Sequence, residues 1–139
     1  MKQKFESRNI RWGWLKFMYI YTVIGAGGLG LGVLAAPHLI QTLLGFQGQD
    51  PFVFGILGSV YTTFGLLSIL GLRFPLNFVP LLLFQLCYKV IWSTVVAAPL
   101  IFSGQLPMHA VMLLVIFATY IIGDLISIPF SYIFSKGSD

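Results

Sequence analysis

The sequence predicts an all-α integral membrane protein. We expect an up-down bundle of four transmembrane helices, with a short amphipathic surface helix between helices 1 and 2. Of 139 residues, 58% are apolar and only 9% are charged, which is far from the balance of a soluble domain. Apolar residues fall in four uninterrupted runs, each close to the ~20 residues that cross a bilayer. No run alternates as a barrel strand does, so residues 1–139 are expected to form one four-span domain.

The four apolar runs are numbered here as spans 1 to 4. They cover residues 14–36, 52–72, 78–102 and 108–134. Span 1 follows a basic segment, as a signal peptide does, but its apolar part is about 20 residues, against roughly 7–15 in a cleaved signal. We therefore expect span 1 to stay in the membrane as a permanent helix.

The connection between spans 1 and 2 contains a predicted surface helix at about residues 38–47. One side of that helix collects the apolar residues Leu39, Ile40, Leu43 and Leu44. Pro37 suits the first helical turn, and Gly45 and Gly48 are expected to end the helix. Asp50 is predicted to cap the start of span 2, because its carboxylate can accept from free backbone amides there.

The distribution of lysine and arginine predicts the orientation of the chain. Five of the eight basic residues precede or open span 1, namely Lys2, Lys4, Arg8, Arg11 and Lys16. Arg73 lies in the next turn on that side and Lys136 in the tail, whereas the connections 37–51 and 103–107 carry no basic residue. The positive-inside rule then places both termini in the cytoplasm. Membrane topology thus explains the formal charge of +4 without a nucleic acid partner.

Lys89 and Asp124 are ionisable residues near the middle of spans 3 and 4. Each costs about 2.5–3.5 kcal/mol at a helix centre, so each is expected to find a partner inside the protein. Their depths differ by only about 7–8 Å, counted from the turn between the two spans, so we expect them to pair with each other. Helical spacing adds five polar residues to this predicted cluster: Gln85, Tyr61, Tyr88, Tyr120 and Ser127.

Two interpretations of the polar cluster remain open. In the first, it is a buried ion pair with hydrogen bonds that determines how helices or protomers dock. In the second, it lines a cavity in which Asp124 exchanges a proton or binds a ligand, with Lys89 adjusting its charge state. The single cysteine, Cys87, excludes an intrachain disulfide, and we expect it to be a packed core thiol.

A glycine-rich stretch in span 1 matches a dinucleotide-binding pattern. Gly25, Gly27 and Gly30 have the GxGxxG spacing, but the pattern requires a βαβ unit and an acidic residue about twenty positions later. Neither accompanies it here. We interpret the stretch as close helix packing through small residues, namely Gly25, Gly28, Gly30 and Gly32.

His38 and His109 lie at the edge of the predicted membrane layer and are weak metal candidates. Two histidines without an acidic or thiolate companion are a poor ligand set, so we predict no metal and no cofactor. A quinone or a haem is the alternative that these histidines leave open. The sequence contains no Ser–His–Asp, HExxH, P-loop or paired-carboxylate arrangement, so an enzymatic role is not favoured.

Three segments carry a resemblance to a known family. Residues 54–61 and 64–73 form a glycine-rich helix that ends in Gly-Leu-Arg and is followed by Pro75, and residues 85–92 read Gln-Leu-Cys-Tyr-Lys-Val-Ile-Trp. This part of the chain resembles the DoxX-like and related uncharacterised small four-helix membrane proteins. The resemblance implies a four-span up-down bundle in a bacterial inner membrane, with some relatives linked to quinone or thiosulfate oxidation. It brings no catalytic motif to these positions.

The sequence favours a non-enzymatic accessory or scaffold subunit, which self-associates or packs in a larger membrane complex. Short connections and the lack of a reaction centre support this hypothesis. The first alternative is a small transporter or ligand-binding membrane protein, whose buried polar cavity around Lys89 and Asp124 takes a small lipophilic or cationic molecule. The second alternative is a quinone-linked redox subunit. The expected partners are the lipid bilayer and either copies of this chain or other membrane subunits.

Overall fold

A computed structural model describes residues 10–46 and 48–135. Within these ranges the regular structure is helical throughout. The helices are α1 (Trp12–Ala35), α2 (Pro37–Leu44), α3 (Pro51–Arg73), α4 (Val79–Phe102), α5 (Met108–Ser127) and α6 (Phe130–Ser135). Four of them, α1, α3, α4 and α5, are long and apolar enough to cross a membrane. These four correspond to spans 1 to 4.

The ends of these four helices lie within two residues of the expected bounds except at the end of span 4. The surface helix expected at about residues 38–47 ends earlier, at Leu44. Helix α5 ends at Ser127 because Ile128 adopts an extended conformation, with φ −68° and ψ 121°. The residue before a proline is pushed out of the helical region, and Pro129 follows. The chain becomes helical again only in α6, so the run 108–134 is two helices and not one.

Helix α2 has the start and the stop that its sequence predicts. Pro37 occupies the first turn, and Gly45 ends the helix in the left-handed conformation, with φ 74° and ψ 16°. The amide of Phe46 then donates to the carbonyl of Gln41 at 2.8 Å, as in a Schellman motif. These findings confirm the predicted proline start and glycine stop. Gln47, expected at the end of the segment, is outside the described residues.

Helix α3 begins at a capped end, which confirms the prediction for Asp50. The Oδ1 atom of Asp50 accepts from the amides of Phe52 at 2.9 Å and Val53 at 3.0 Å. The first turn of a helix leaves four amides without a partner in the helix, and this side chain satisfies two of them.

Two of the long helices contain a wider, π-helical turn. It covers Val23–Gly27 in α1 and Trp92–Ala97 in α4. The turn in α4 comes just before Pro99, which has no amide to donate and therefore disturbs the regular bonding. Such turns are frequent at functional sites, and residues of both line the cavities described below.

Helices α1 and α3 approach each other through glycine. The backbones of Gly27 and Gly65 touch, so that a Cβ on Gly65 would overlap the Cα of Gly27. Gly30 lies against Thr62 and Gly58 in the same way. Three of the four glycines expected to pack helices thus contact another element, Gly25 against Tyr120, Gly30 against Thr62 and Gly32 against Ile40, whereas Gly28 has no neighbour within 4 Å of a Cβ position.

The other long helices are joined by contacts at several levels. Between α5 and α1, including Arg11 just before α1, the contacts are Arg11 with Ile126, Met18 with Gly123 and Tyr21 with Thr119. Along α4 and α5 they are Gln85 with Asp124 and Trp92 with Phe117. In each pair of helices the residue numbers rise along one partner while they fall along the other.

The buried core lies toward the α3–α4 turn. Tyr19 is completely buried there, with its ring against Gly71 and its hydroxyl donating to the carbonyl of Pro75 at 2.6 Å. The sequence predicts an interfacial aromatic belt that includes Trp12, Trp14 and Tyr19. Tyr19 does not belong to such a belt, whereas Trp12 and Trp14 are exposed as a belt requires. The thiol of Cys87 is also exposed, so the expected core position is wrong. Its position on α4 faces away from the neighbouring helices.

Candidate functional site

A cavity of about 300 Å³ lies between α1 and α5, and a second of about 290 Å³ adjoins it. Residues of five helices line both: Leu29, Leu44, Tyr61, Tyr88, Leu113 and Phe117. We call the two cavities together the crevice. Lys89 and Tyr120 line only the first cavity, whereas Phe46 and Trp92 line only the second. The crevice therefore runs from Lys89 toward α2, and each part has a volume typical of small-molecule sites.

The crevice opens on the side of the bundle and not at its end. Gly25 and Ile116 line the first cavity, and both are exposed. They lie near the middle of α1 and α5, at the level where the surrounding surface is apolar. Gly25 also allows the ring of Tyr120 to lie directly against α1. The opening is thus bordered by two long apolar helices.

Lys89 is buried at one end of the crevice, with 2% of its surface exposed. Its Nζ atom donates to the hydroxyl of Tyr88 at 2.8 Å. It also lies over three aromatic rings, 4.2 Å from the centroid of Tyr120, 4.4 Å from that of Tyr88 and 5.4 Å from that of Phe117. Such rings stabilise a cation through their negative faces. Since an ammonium group has three donors, two remain after the bond to Tyr88.

Asp124 is completely buried behind the crevice, and its carboxylate accepts from Gln85. The Nε2 atom of Gln85 lies 3.2 Å and 3.1 Å from the two carboxylate oxygens. The same amide donates to the Oγ1 atom of Thr22 at 3.3 Å, and Thr22 donates to the carbonyl of Met18 at 2.8 Å. This polar chain ties α5 to α4 and α1.

Lys89 and Asp124 do not form the direct ion pair expected from their depths. No nitrogen–oxygen contact within 4.0 Å joins the two side chains. Gln85, one helical turn before Lys89, donates to the carboxylate instead. The lysine side chain extends toward the tyrosines that line the crevice.

The predicted polar cluster is therefore divided between two places. Four of its members line the crevice: Lys89, Tyr61, Tyr88 and Tyr120. The other three lie behind it: Asp124, Gln85 and Ser127, the last with its hydroxyl donating to the backbone carbonyl of Asp124 at 3.4 Å. The first group can contact a ligand in the crevice, whereas the second group joins helices.

Thr22 and Phe117 also belong to this region and were not predicted from the sequence. Thr22 is buried and bonds to Gln85, although a single threonine in an apolar run gives little signal. Phe117 contacts Lys89, Tyr88 and Trp92. Its spacing of seven residues from Asp124 places it on the same helical face, which is a signal that could have found it.

The two histidines lie apart from the lysine end of the crevice. His109 is half-buried, and its ring packs edge-on against Phe46 with the centroids 5.3 Å apart. His38 is exposed on α2. In the described part of the chain, no three His, Cys, Asp or Glu side chains form a group that could hold a metal ion. The structure thus shows a packing contact for His109 alone, at Phe46.

No family model, no curated protein and no solved structure matches this chain. The resemblance to the DoxX-like proteins therefore stays a prediction. Function is therefore inferred from the crevice and its buried lysine.

Proposed function

We propose that this protein is a small membrane protein that binds a lipophilic molecule in the crevice. The supporting observation is the position of Lys89, a buried amine at one end of a mainly apolar cavity of about 300 Å³. Apolar walls with a few convergent polar groups are the usual composition of small-molecule sites. A buried ionisable residue within a membrane helix is costly and commonly marks a ligand or ion site.

The proposal includes insertion of α1, α3, α4 and α5 in a bilayer as an up-down bundle. Three observations support it. The four helices have spanning length, and neighbouring helices make contacts whose residue numbers run in opposite directions. Their outer surfaces also carry large exposed apolar side chains, such as Phe52 at 79% and Ile24 at 71%. A surface of this kind is unfavourable in water and suits lipid.

We propose that both termini face the cytoplasm across a bacterial inner membrane. This orientation is supported by Arg11 and Arg73, which lie at the same end of the bundle. The other basic residues that predict it are outside the described residues: Lys2, Lys4, Arg8 and Lys136. Green fluorescent protein fused after Asp139 should therefore fluoresce, since it does so in the cytoplasm but not after export. Alkaline phosphatase fused at the same position is active only after export. A non-fluorescent first fusion together with an active phosphatase fusion would contradict this orientation.

The accessory or scaffold role is the competing proposal, and native mass spectrometry separates the two. The tagged protein would be extracted in mild detergent from its host membranes, and every attached mass recorded. We expect the chain, alone or as a homo-oligomer, to carry a lipophilic molecule in stoichiometric amount. A stoichiometric complex with other proteins and an empty crevice would favour the accessory role instead. Visible absorbance of the same sample tests the redox alternative for haem.

Filling the crevice should remove the bound molecule. We expect Leu113→Trp, in the wall shared by both cavities, to lower occupancy about tenfold or more, since each 1.4 kcal/mol of steric cost is a factor of ten in affinity. The matched control is Leu125→Trp on the same helix, where the side chain is 53% exposed and outside the crevice. Equal occupancy in both variants, measured by native mass spectrometry, would contradict the proposed site.

A further inference from the structure

The donors and charges of the crevice indicate the class of molecule that it holds. Given the ligand-binding function proposed above, we infer that the occupant is an anionic lipophile, a long-chain carboxylate or phosphate. Its head group accepts hydrogen bonds from Lys89, and its chain lies along the apolar walls toward α2. Lys89 is then a ligand of the head group. Its position in the sequence does not reveal this role by itself.

The polar end of the crevice offers donors. Lys89 has two N–H groups left after its bond to Tyr88. The hydroxyl of Tyr88 accepts that bond and shares a further hydrogen bond with the hydroxyl of Tyr61, so one O–H of the two tyrosines remains to be donated. The hydroxyl of Tyr120 already donates to the carbonyl of Tyr21 at 3.2 Å. The first cavity is lined by several hydrogen-bond donors and by no carboxylate, so it suits a ligand that accepts hydrogen bonds. A cationic ligand would be repelled by a charged Lys89.

The ammonium form of Lys89 is only partly balanced by the described protein. Its aromatic neighbours Tyr88, Phe117 and Tyr120 offer ring faces. The nearby carboxylate of Asp124 accepts from Gln85 and makes no direct contact with the amine. A buried charge is favourable when it is both paired and hydrogen-bonded. An anionic head group supplies both, whereas the carbonyl of a quinone supplies hydrogen bonding alone.

The rest of the crevice fits a hydrocarbon chain. Leu29, Leu113 and Phe117 line both of its parts, and Leu44 of α2 borders both near the far end. The opening between Gly25 and Ile116 is on the apolar side of the bundle. A lipophile can therefore enter from the bilayer without crossing a polar surface.

Fluorescence of Trp92, which lines the second cavity, provides a direct test. The chain has three tryptophans, so replacing Trp12 and Trp14 by phenylalanine leaves Trp92 as the single emitter. Dibromostearate should quench it in detergent. Palmitate and hexadecyl phosphate should then restore the emission, whereas hexadecanol and decylubiquinone should require about tenfold or more higher concentration, because they lack the charge-assisted bond. Whichever of palmitate and hexadecyl phosphate restores the emission at the lower concentration indicates whether the natural head group is a carboxylate or a phosphate.

Variants at Lys89 test the head-group contact itself. Lys89→Met should reduce the preference for palmitate over hexadecanol to about threefold or less, and Lys89→Arg should retain it, since arginine keeps the charged donor. Lys16→Met, at an exposed position of α1, is the control and should leave the preference unchanged. If Lys89→Met fails to fold, the preference of the unsubstituted protein for palmitate over hexadecanol still tests whether the head group is anionic.

The outcomes separate this inference from the proposed function. Quenching with equal displacement by all four probes, or a preference that survives Lys89→Met, would overturn the anionic head group and keep a lipophile site. Displacement by decylubiquinone in preference to palmitate would also overturn it. No quenching of Trp92 by dibromostearate would contradict the ligand site as well.

Discussion

Replacing Gly65 by valine should separate α3 from α1 and lower the free energy of unfolding by about 3 kcal/mol or more, the upper part of the range for overpacking. The Cβ of any other residue at this position would overlap the backbone of Gly27. A neighbouring side chain could rotate away, but the backbone cannot, so the two helices would have to move apart. The loss is measurable by chemical unfolding of the purified protein in detergent.

Gly55→Val is the matched control for this prediction. Gly55 lies on the same helix, and a Cβ built there meets nothing within 4 Å. The helix propensities of the two substitutions are the same, so any difference in unfolding free energy reports the contact with α1. Equal stabilities of the two variants would mean that α1 and α3 do not touch at Gly27 and Gly65.

Replacing Gln85 by leucine should cost about 1–3 kcal/mol of stability, because a buried carboxyl group would lose its hydrogen-bonding partner. Asp124 is completely buried, and among the described side chains Gln85 is the donor to its carboxylate. Leucine has a similar volume and leaves the packing largely intact. Gln105→Leu, at an exposed position beyond α4, should change stability by less than about 0.5 kcal/mol.

The double variant Gln85→Leu with Asp124→Leu distinguishes the hydrogen bond from simple packing. Removal of both polar groups leaves no unsatisfied carboxylate, so most of the lost stability should return. A double-mutant cycle on the four proteins gives the coupling energy directly. If the two substitutions were additive, Gln85 and Asp124 would not act as a pair.

The same cycle also bears on the role of Asp124. Its carboxylate accepts from Gln85 and does not line the crevice, whereas Lys89 does. We therefore expect the double variant to keep the preference of the crevice for palmitate over hexadecanol. Loss of that preference with intact folding would move Asp124 from a helix-joining role into the ligand site.

Local features of the sequence determined the helices and their ends. The lengths of the apolar runs predict four spans, and Asp50, Pro37 and Gly45 act within one or two turns of their own positions. The break before Pro129 has an equally local cause, because a proline restricts the residue before it. Run length, capping and proline geometry need no knowledge of the neighbouring helices.

The tertiary structure decided which face of each helix is buried. In a membrane span both faces are apolar, so periodicity does not distinguish a core residue from a lipid-facing one. Tyr19 is therefore buried and Cys87 exposed, against expectation. Lys89 and Asp124 lie at similar predicted depths but have different partners, because Gln85 of α4 bonds to the carboxylate while the tyrosines surround the amine. The crevice itself exists only where α1 and α5 leave space between them, and no single run of residues contains that information.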